Sequence, residues 1–127
     1  MKIKNNLLSL ELYSLDKLGI KKGKSIAKIM YDCPRIVKLV LKEIELEEED
    51  AEFIGSLLTN YSPNLIHFEL CGIFFNDLSK VFNGLKGNNT IEVLVFNKIK
   101  LTSDSMSSFL PAVETNRKLN RLDLSNN

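Results

Sequence analysis

The 127-residue chain has no charge of either sign in excess: 17 lysines and arginines stand against 16 aspartates and glutamates, a net charge of +1. That balance supplies no general pull toward nucleic acid or an anionic membrane, so neither is expected as a partner. Histidine occurs once, as His67, and cysteine twice, as Cys33 and Cys71. Two cysteines that far apart build neither a disulfide framework nor a CxxC site; they read as free packing thiols in a reducing, cytoplasmic setting. A membrane-length apolar run is also missing. Met1 to Asn6 is polar, and Leu7 to Leu12 is interrupted by Ser9 and Glu11, which fits neither a signal-peptide core nor a span.

Catalytic signatures are equally scarce. There is no G-x-x-x-x-G-K-[ST] loop, no G-x-S-x-G elbow and no metal-spaced His/Cys set. Cys71 follows His67 by four positions, roughly 13 Å along a strand, which is too far for a nucleophile and its base. The chain is therefore expected not to be an enzyme and to need no cofactor or metal. Asn60-Tyr61-Ser62 and Asn88-Asn89-Thr90 match the glycosylation sequon, but they have meaning only in a secreted chain and are discounted.

What the sequence does have is internal repetition. A step of 28 residues links Ile26, Ile54, Phe82 and Leu110, and the same step links Ile29, Leu57, Leu85 and Val113. Three residues before the first column stand only small residues, Gly23, Ala51, Ser79 and Ser107. These three columns share one side of a helix. A polar column, Asp32, Asn60, Asn88 and Asn116, suits a helix end or a turn. After each helix comes a pattern with strand periodicity at its close: Ile36, Leu39, Leu41; Leu65, Phe68, Leu70; Ile91, Leu94, Phe96; Leu119, Leu122, Leu124; and an N-terminal copy, Leu7, Leu10, Leu12. Strand copies are spaced by 29, 29, 26 and 28 residues, so length variation falls in the connections. Each unit reads as strand then helix, with a short third helix between Asn76 and Lys86 and a fourth kinked or delayed by Pro111.

This pattern resembles the leucine-rich repeat, and its 28-residue period with a helix per unit resembles the ribonuclease-inhibitor-like subfamily. The likeness runs from Leu7 to Asn127, and Leu119 to Asn127 is its best match to L-x-x-L-x-L-x-x-N. The family's turn-bonding asparagine is met by Asn127 and replaced by Leu15, Ile44, Ile73 and Ile99, so the inner turns are expected to rest on apolar packing. The resemblance implies one domain over 1–127, an α/β solenoid of about four to five repeats with the last incomplete. Its form is a right-handed superhelix with a curved parallel sheet inside and helices outside. The spacing of parallel strands, about 4.8 Å against about 10 Å for helices, forces such a stack to curve.

Register then places three rows on the concave face: Ser9, Lys38, His67, Val93 and Arg121; Glu11, Val40, Glu69, Val95 and Asp123; Tyr13, Lys42, Cys71, Asn97 and Ser125. A protein-binding surface is expected there, formed by Tyr13, Lys38, Val40, Lys42, His67, Glu69, Val93, Val95, Arg121 and Asp123. Val93 and Val95 would form its apolar centre and the charges its rim. The acidic stretch from Glu43 to Asp50 reads either as helix-start carboxylates or as a docking patch for a basic partner. The function implied is a protein–protein interaction module: an adaptor, scaffold or inhibitor. The alternatives are a regulator of a GTPase or of actin assembly, and a structural segment of a longer array. An open terminal strand edge also suggests a homo-oligomer.

Overall fold

A computed structural model of the protein describes residues 8–13 and 22–127; the expected strand position Leu7 and turn position Leu15 lie outside the described residues. Nine elements alternate along the chain. These are β1 (Ser9–Tyr13), α1 (Lys22–Asp32), β2 (Lys38–Lys42), α2 (Glu48–Asn60), β3 (His67–Cys71), α3 (Ser79–Asn83), β4 (Val93–Asn97), α4 (Ser103–Val113) and β5 (Arg121–Asp123). The five strands form one all-parallel sheet in sequence order, so the fold is α/β.

Alternation along each strand sends one set of side chains to the helices and the other away. Leu39, Leu41, Phe68, Leu70, Leu94 and Phe96 join Ile26, Met30, Ile54, Leu57, Phe82 and Phe109 from the helices in one continuous core. Its middle is aromatic: the Phe109 ring lies 5.2 Å from Phe82 and 5.7 Å from Phe96, both edge-on. Such contacts add about 0.5–1.5 kcal/mol each beyond area burial.

Two backbone devices recur. At the start of successive strands, the carbonyls of Leu8, Val37, Ile66 and Glu92 each accept two N–H groups from the next strand. Just after β2, β3 and β4, and at the matching place beyond β5, Glu43, Gly72, Lys98 and Asn126 adopt left-handed φ of 52°, 62°, 54° and 61°. The same left-handed turn thus follows four successive strands, although only one of them has the glycine that this conformation favours. In the inner turns Ile44, Ile73 and Ile99 are buried, as apolar packing requires. Asn127 does the hydrogen bonding at the last turn. Its Nδ2 donates to the carbonyls of Phe96 and Leu124 at 2.7 and 2.9 Å, while Oδ1 accepts from Ile99 N–H at 2.9 Å.

The polar column stands at helix ends and turns, as expected. Asp32 and Asn60 are the last residues of α1 and α2, while Asn88 Oδ1 accepts from Thr90 and Ile91 N–H and Asn116 Oδ1 from Lys118 and Leu119 N–H. Helix α3 is short because tighter turns take over after Asn83, with Leu85 N–H donating to Phe82 and Asn88 N–H to Leu85. Helix α4 begins with Thr102 as its cap, bonded to Ser105 N–H at 3.2 Å, and runs through Pro111 before ending two residues later. It is therefore not delayed.

One apolar column is corrected. Leu110, expected to align with Ile26, Ile54 and Phe82, is 56% exposed, and Phe109 occupies the buried position at 0%. A one-residue step turns a helix by about 100°. The rotation lets the larger Phe109 ring fill the space between Phe82 and Phe96 and leaves Leu110 beside the exposed Pro111. The second column holds: Val113, like Ile29, is partly buried and packed against the core, here beside the fully buried Ala112. Of the small column, Gly23 and Ala51 are buried while Ser107 is exposed.

Candidate binding face of the sheet

The strand register confirms all three rows on the side away from the helices. Ser9, Lys38, His67, Val93 and Arg121 stand side by side, as do Glu11, Val40, Glu69, Val95 and Asp123, and Tyr13, Lys42, Cys71 and Asn97. Ser125 lies beyond the paired part of β5 but still reaches the third row, where its Oγ is 2.7 Å from Asn97 Nδ2.

Neighbouring strands carry opposite charges on this face, and they pair. Lys38 Nζ is 3.0 Å from Glu11, and Lys42 Nζ is 3.2 Å from Glu69. Tyr13 joins the same network, its hydroxyl donating to Glu11 at 3.3 Å while Lys42 sits 5.7 Å from its ring centre. Glu11 is held below the ordinary carboxylate range, first by the hydrogen bond from Lys38, and Lys38 is pushed up by the same bond.

Glu69 is the hub. One of its oxygens receives Lys42 Nζ and the Cys71 thiol, the latter at 3.2 Å; the other meets His67 Nε2 at 3.1 Å. Burial alone would raise this carboxyl, but the hydrogen bonds from His67, Cys71 and Lys42 outweigh it and hold it low. Cys71 goes the other way: burial first, then the Glu69 carboxylate, pushes its thiol up to about 11. A thiol that keeps its proton at neutral pH is a poor nucleophile. His67 and Cys71 do converge, closer than their separation along the strand suggests, but a carboxylate stands between them.

Two expected surface residues are corrected. Val40 and Val95 belong to the exposed rows, yet they are only 2% and 6% accessible and lie outside the helix-side core. The cause for Val40 is its four neighbours. Lys38 and Lys42 flank it on its own strand and Glu11 and Glu69 beside it, and the two ion pairs close over it. Val95 lies between Glu69 and Asp123 and forms part of the floor of a shallow depression lined also by His67, Cys71, Asn97 and Arg121. Of the expected apolar centre, Val93 alone stays half-accessible.

Sequence reasoning left the Gly55–Gly84 contact unseen. A Cβ on Gly84 would fall 2.3 Å from the Gly55 carbonyl oxygen, so α2 and the end of α3 meet backbone to backbone. No apolar spacing signals such a contact. Within the acidic stretch Asp50 caps two helices, and Glu48 accepts from the backbone N–H of Asn76 and Asp77 in the loop before α3.

Among the described residues no helix is long and apolar enough to cross a membrane, and no group of His, Cys, Asp and Glu is arranged to hold a metal ion. No protein-family model matches the chain, and no curated protein is similar to it.

Proposed function

We propose that the chain is a leucine-rich-repeat solenoid of the ribonuclease-inhibitor-like kind, and that it works in the cytoplasm as a protein-binding module. Its partner would lie across the helix-free face of the sheet. The 28-residue columns, in phase from Ile26 through Ile54 to Phe82, support the repeat reading, and so does the left-handed turn shared by Glu43, Gly72, Lys98 and Asn126. Neither Cys33 nor Cys71 forms a disulfide among the described residues, which suits a reducing compartment.

The observation that carries the binding reading is the character of that face. It is a continuous array of in-register side chains, charged, aromatic and aliphatic, left uncovered by any helix among the described residues. Its salt bridges are internal, so the lysines and carboxylates are already oriented before a partner arrives, which lowers the entropic cost of binding. The five strands span about 20 Å, enough for one helix or loop of a partner and consistent with modest affinity.

The test is affinity capture from the native cell extract with the wild-type chain and with a Lys38→Glu, Val93→Glu variant. Both side chains are on the face and half-accessible, so the circular-dichroism spectrum should not change. Loss of the captured protein is expected; undiminished capture by the variant would reject this face as the binding surface.

A further inference from the structure

The loops that leave β2, β3 and β4 follow one another as the strands do. Two residues beyond the left-handed positions Glu43, Gly72 and Lys98 stand Glu45, Phe74 and Lys100. Phe74 is 46% exposed between the buried Ile73 and Phe75, so a large apolar ring faces solvent where its neighbours do not. Lys100, from the loop after β4, places its Nζ 4.7 Å from the centre of that ring. Toward β2 the ring borders a shallow notch of about 280 Å³, lined also by Glu43, Ile44, Glu45, Leu46 and Gly72. That volume falls below the roughly 300–1,000 Å³ of small-molecule pockets and suits a single side chain. A Cβ on Gly72 would lie 3.1 Å from the Glu43 Cγ, so the glycine keeps the notch open.

We propose that this notch takes an arginine side chain of the protein partner, its guanidinium stacked on Phe74 and bonded to the Glu45 carboxylate. Charge selects the occupant. Glu43 and Glu45 stand along one wall, and the exposed Glu45 carboxylate has no ion pair or hydrogen bond among the described residues. Lys22 bonds the main-chain carbonyl of Glu45, at 2.8 Å. Lys100 shows that the Phe74 ring takes a cation, and it does so from the β4 side, which leaves the β2 side to the notch. A planar guanidinium can lie on an aromatic ring while its N–H fork reaches a carboxylate, whereas an ammonium is a point donor. The notch shares Glu43 and Gly72 with the depression on the helix-free face, so a partner lying across the sheet reaches it. The inference therefore rests on the binding reading of that face and adds one chemical requirement to the partner.

The experiment is an amide NMR titration of the full chain with a blocked tripeptide carrying one central arginine. Saturable shifts centred on the amides of Glu45, Leu46, Gly72 and Phe74 are expected, in the millimolar range that a single contact of this kind supports. Phe74→Ala and Glu45→Gln should each weaken binding about threefold or more. Both side chains are exposed, so the remaining amide signals should stay in place and show that the variants are folded. Exchanging the central arginine for lysine should weaken binding, and exchanging it for glutamine should abolish it. Shifts that do not saturate or that centre elsewhere, a lysine or glutamine tripeptide that binds equally well, or variants that bind as tightly as the wild type would each overturn the assignment. The tripeptide and the captured protein are read separately. Failure at the notch would leave the face defined by Lys38 and Val93 standing, and undiminished capture by the Lys38→Glu, Val93→Glu variant would reject that face whatever the tripeptide does.

Discussion

The carboxylate of Asp50 accepts the backbone N–H of Gly23 at 2.8 Å through one oxygen and the N–H of Glu47 at 2.7 Å through the other. One buried side chain thus caps the start of α2, to which it belongs, and the start of α1, its neighbour. Gly23 is required for the approach, because a Cβ there would lie 2.8 Å from the Asp50 Cβ.

Removing Asp50 leaves two helix N–H groups without their acceptor in a buried place. Asp50→Ala should cost about 3 kcal/mol of stability, and Asp50→Asn less, since its amide oxygen replaces only one of the two acceptors. Gly23→Ala should cost about 2 kcal/mol through overpacking. Urea denaturation of the three variants measures all of this; an Asp50→Ala protein as stable as the wild type would refute the double cap.

Where α2 meets α3, the obstacle is backbone. A Cβ on Gly55 would lie 2.3 Å from the Lys80 carbonyl oxygen, as close as one on Gly84 would lie to the Gly55 oxygen. Main-chain atoms inside a helix cannot turn aside as a side-chain end can. Gly55→Ala and Gly84→Ala should therefore each lose about 3 kcal/mol, seen as a lower melting temperature, although alanine normally favours a helix.

The rotation of α4 is open to a paired substitution. Phe109→Ala empties a site ringed by Phe82 and Phe96 and should cost about 3–5 kcal/mol, while Leu110→Ala should change stability by less than about 0.5 kcal/mol. The reverse order would put Leu110 in the core after all.

Protonation on the sheet face has two signs. Cys71 ionises near 9.0 when unperturbed and near 11 in the fold, so the unfolded chain loses this proton first. Its contribution to stability is complete below pH 9 and disappears as pH rises to about 11. Alkylation of Cys71 at neutral pH should run about 100-fold slower than that of an unperturbed thiol, and Glu69→Gln should speed it. Glu69 and Glu11 are held below 4.5 and act oppositely: their contribution is present above that value and is lost as pH falls through the folded pKa. Mass-spectrometric labelling rates and denaturation midpoints from acid to alkaline pH check both.

Much of the architecture was legible from residue types alone. Strand periodicity at Leu39–Leu41, Phe68–Leu70 and Leu94–Phe96 is a local property, and its spacing set the register in which Lys38, His67, Val93 and Arg121 stand in one row. The polar residues at Asn88 and Asn116 announced their turns for the same reason, since each bonds to backbone two or three positions on. The buried state of Val40 was not legible. It depends on where the ends of Lys38, Lys42, Glu11 and Glu69 settle, and these come from three strands.

By itself, then, the order of amino acids determined the alternation of strands and helices, the parallel register and the identity of the face left free, because each follows from periodicities of two or about 3.6 residues. Tertiary structure alone decided which of Phe109 and Leu110 enters the core, how close α2 comes to α3 at Gly55 and Gly84, and how Glu69 gathers Lys42, His67 and Cys71. Those outcomes turn on packing volume and on side chains meeting across strands and helices, neither of which any local pattern encodes.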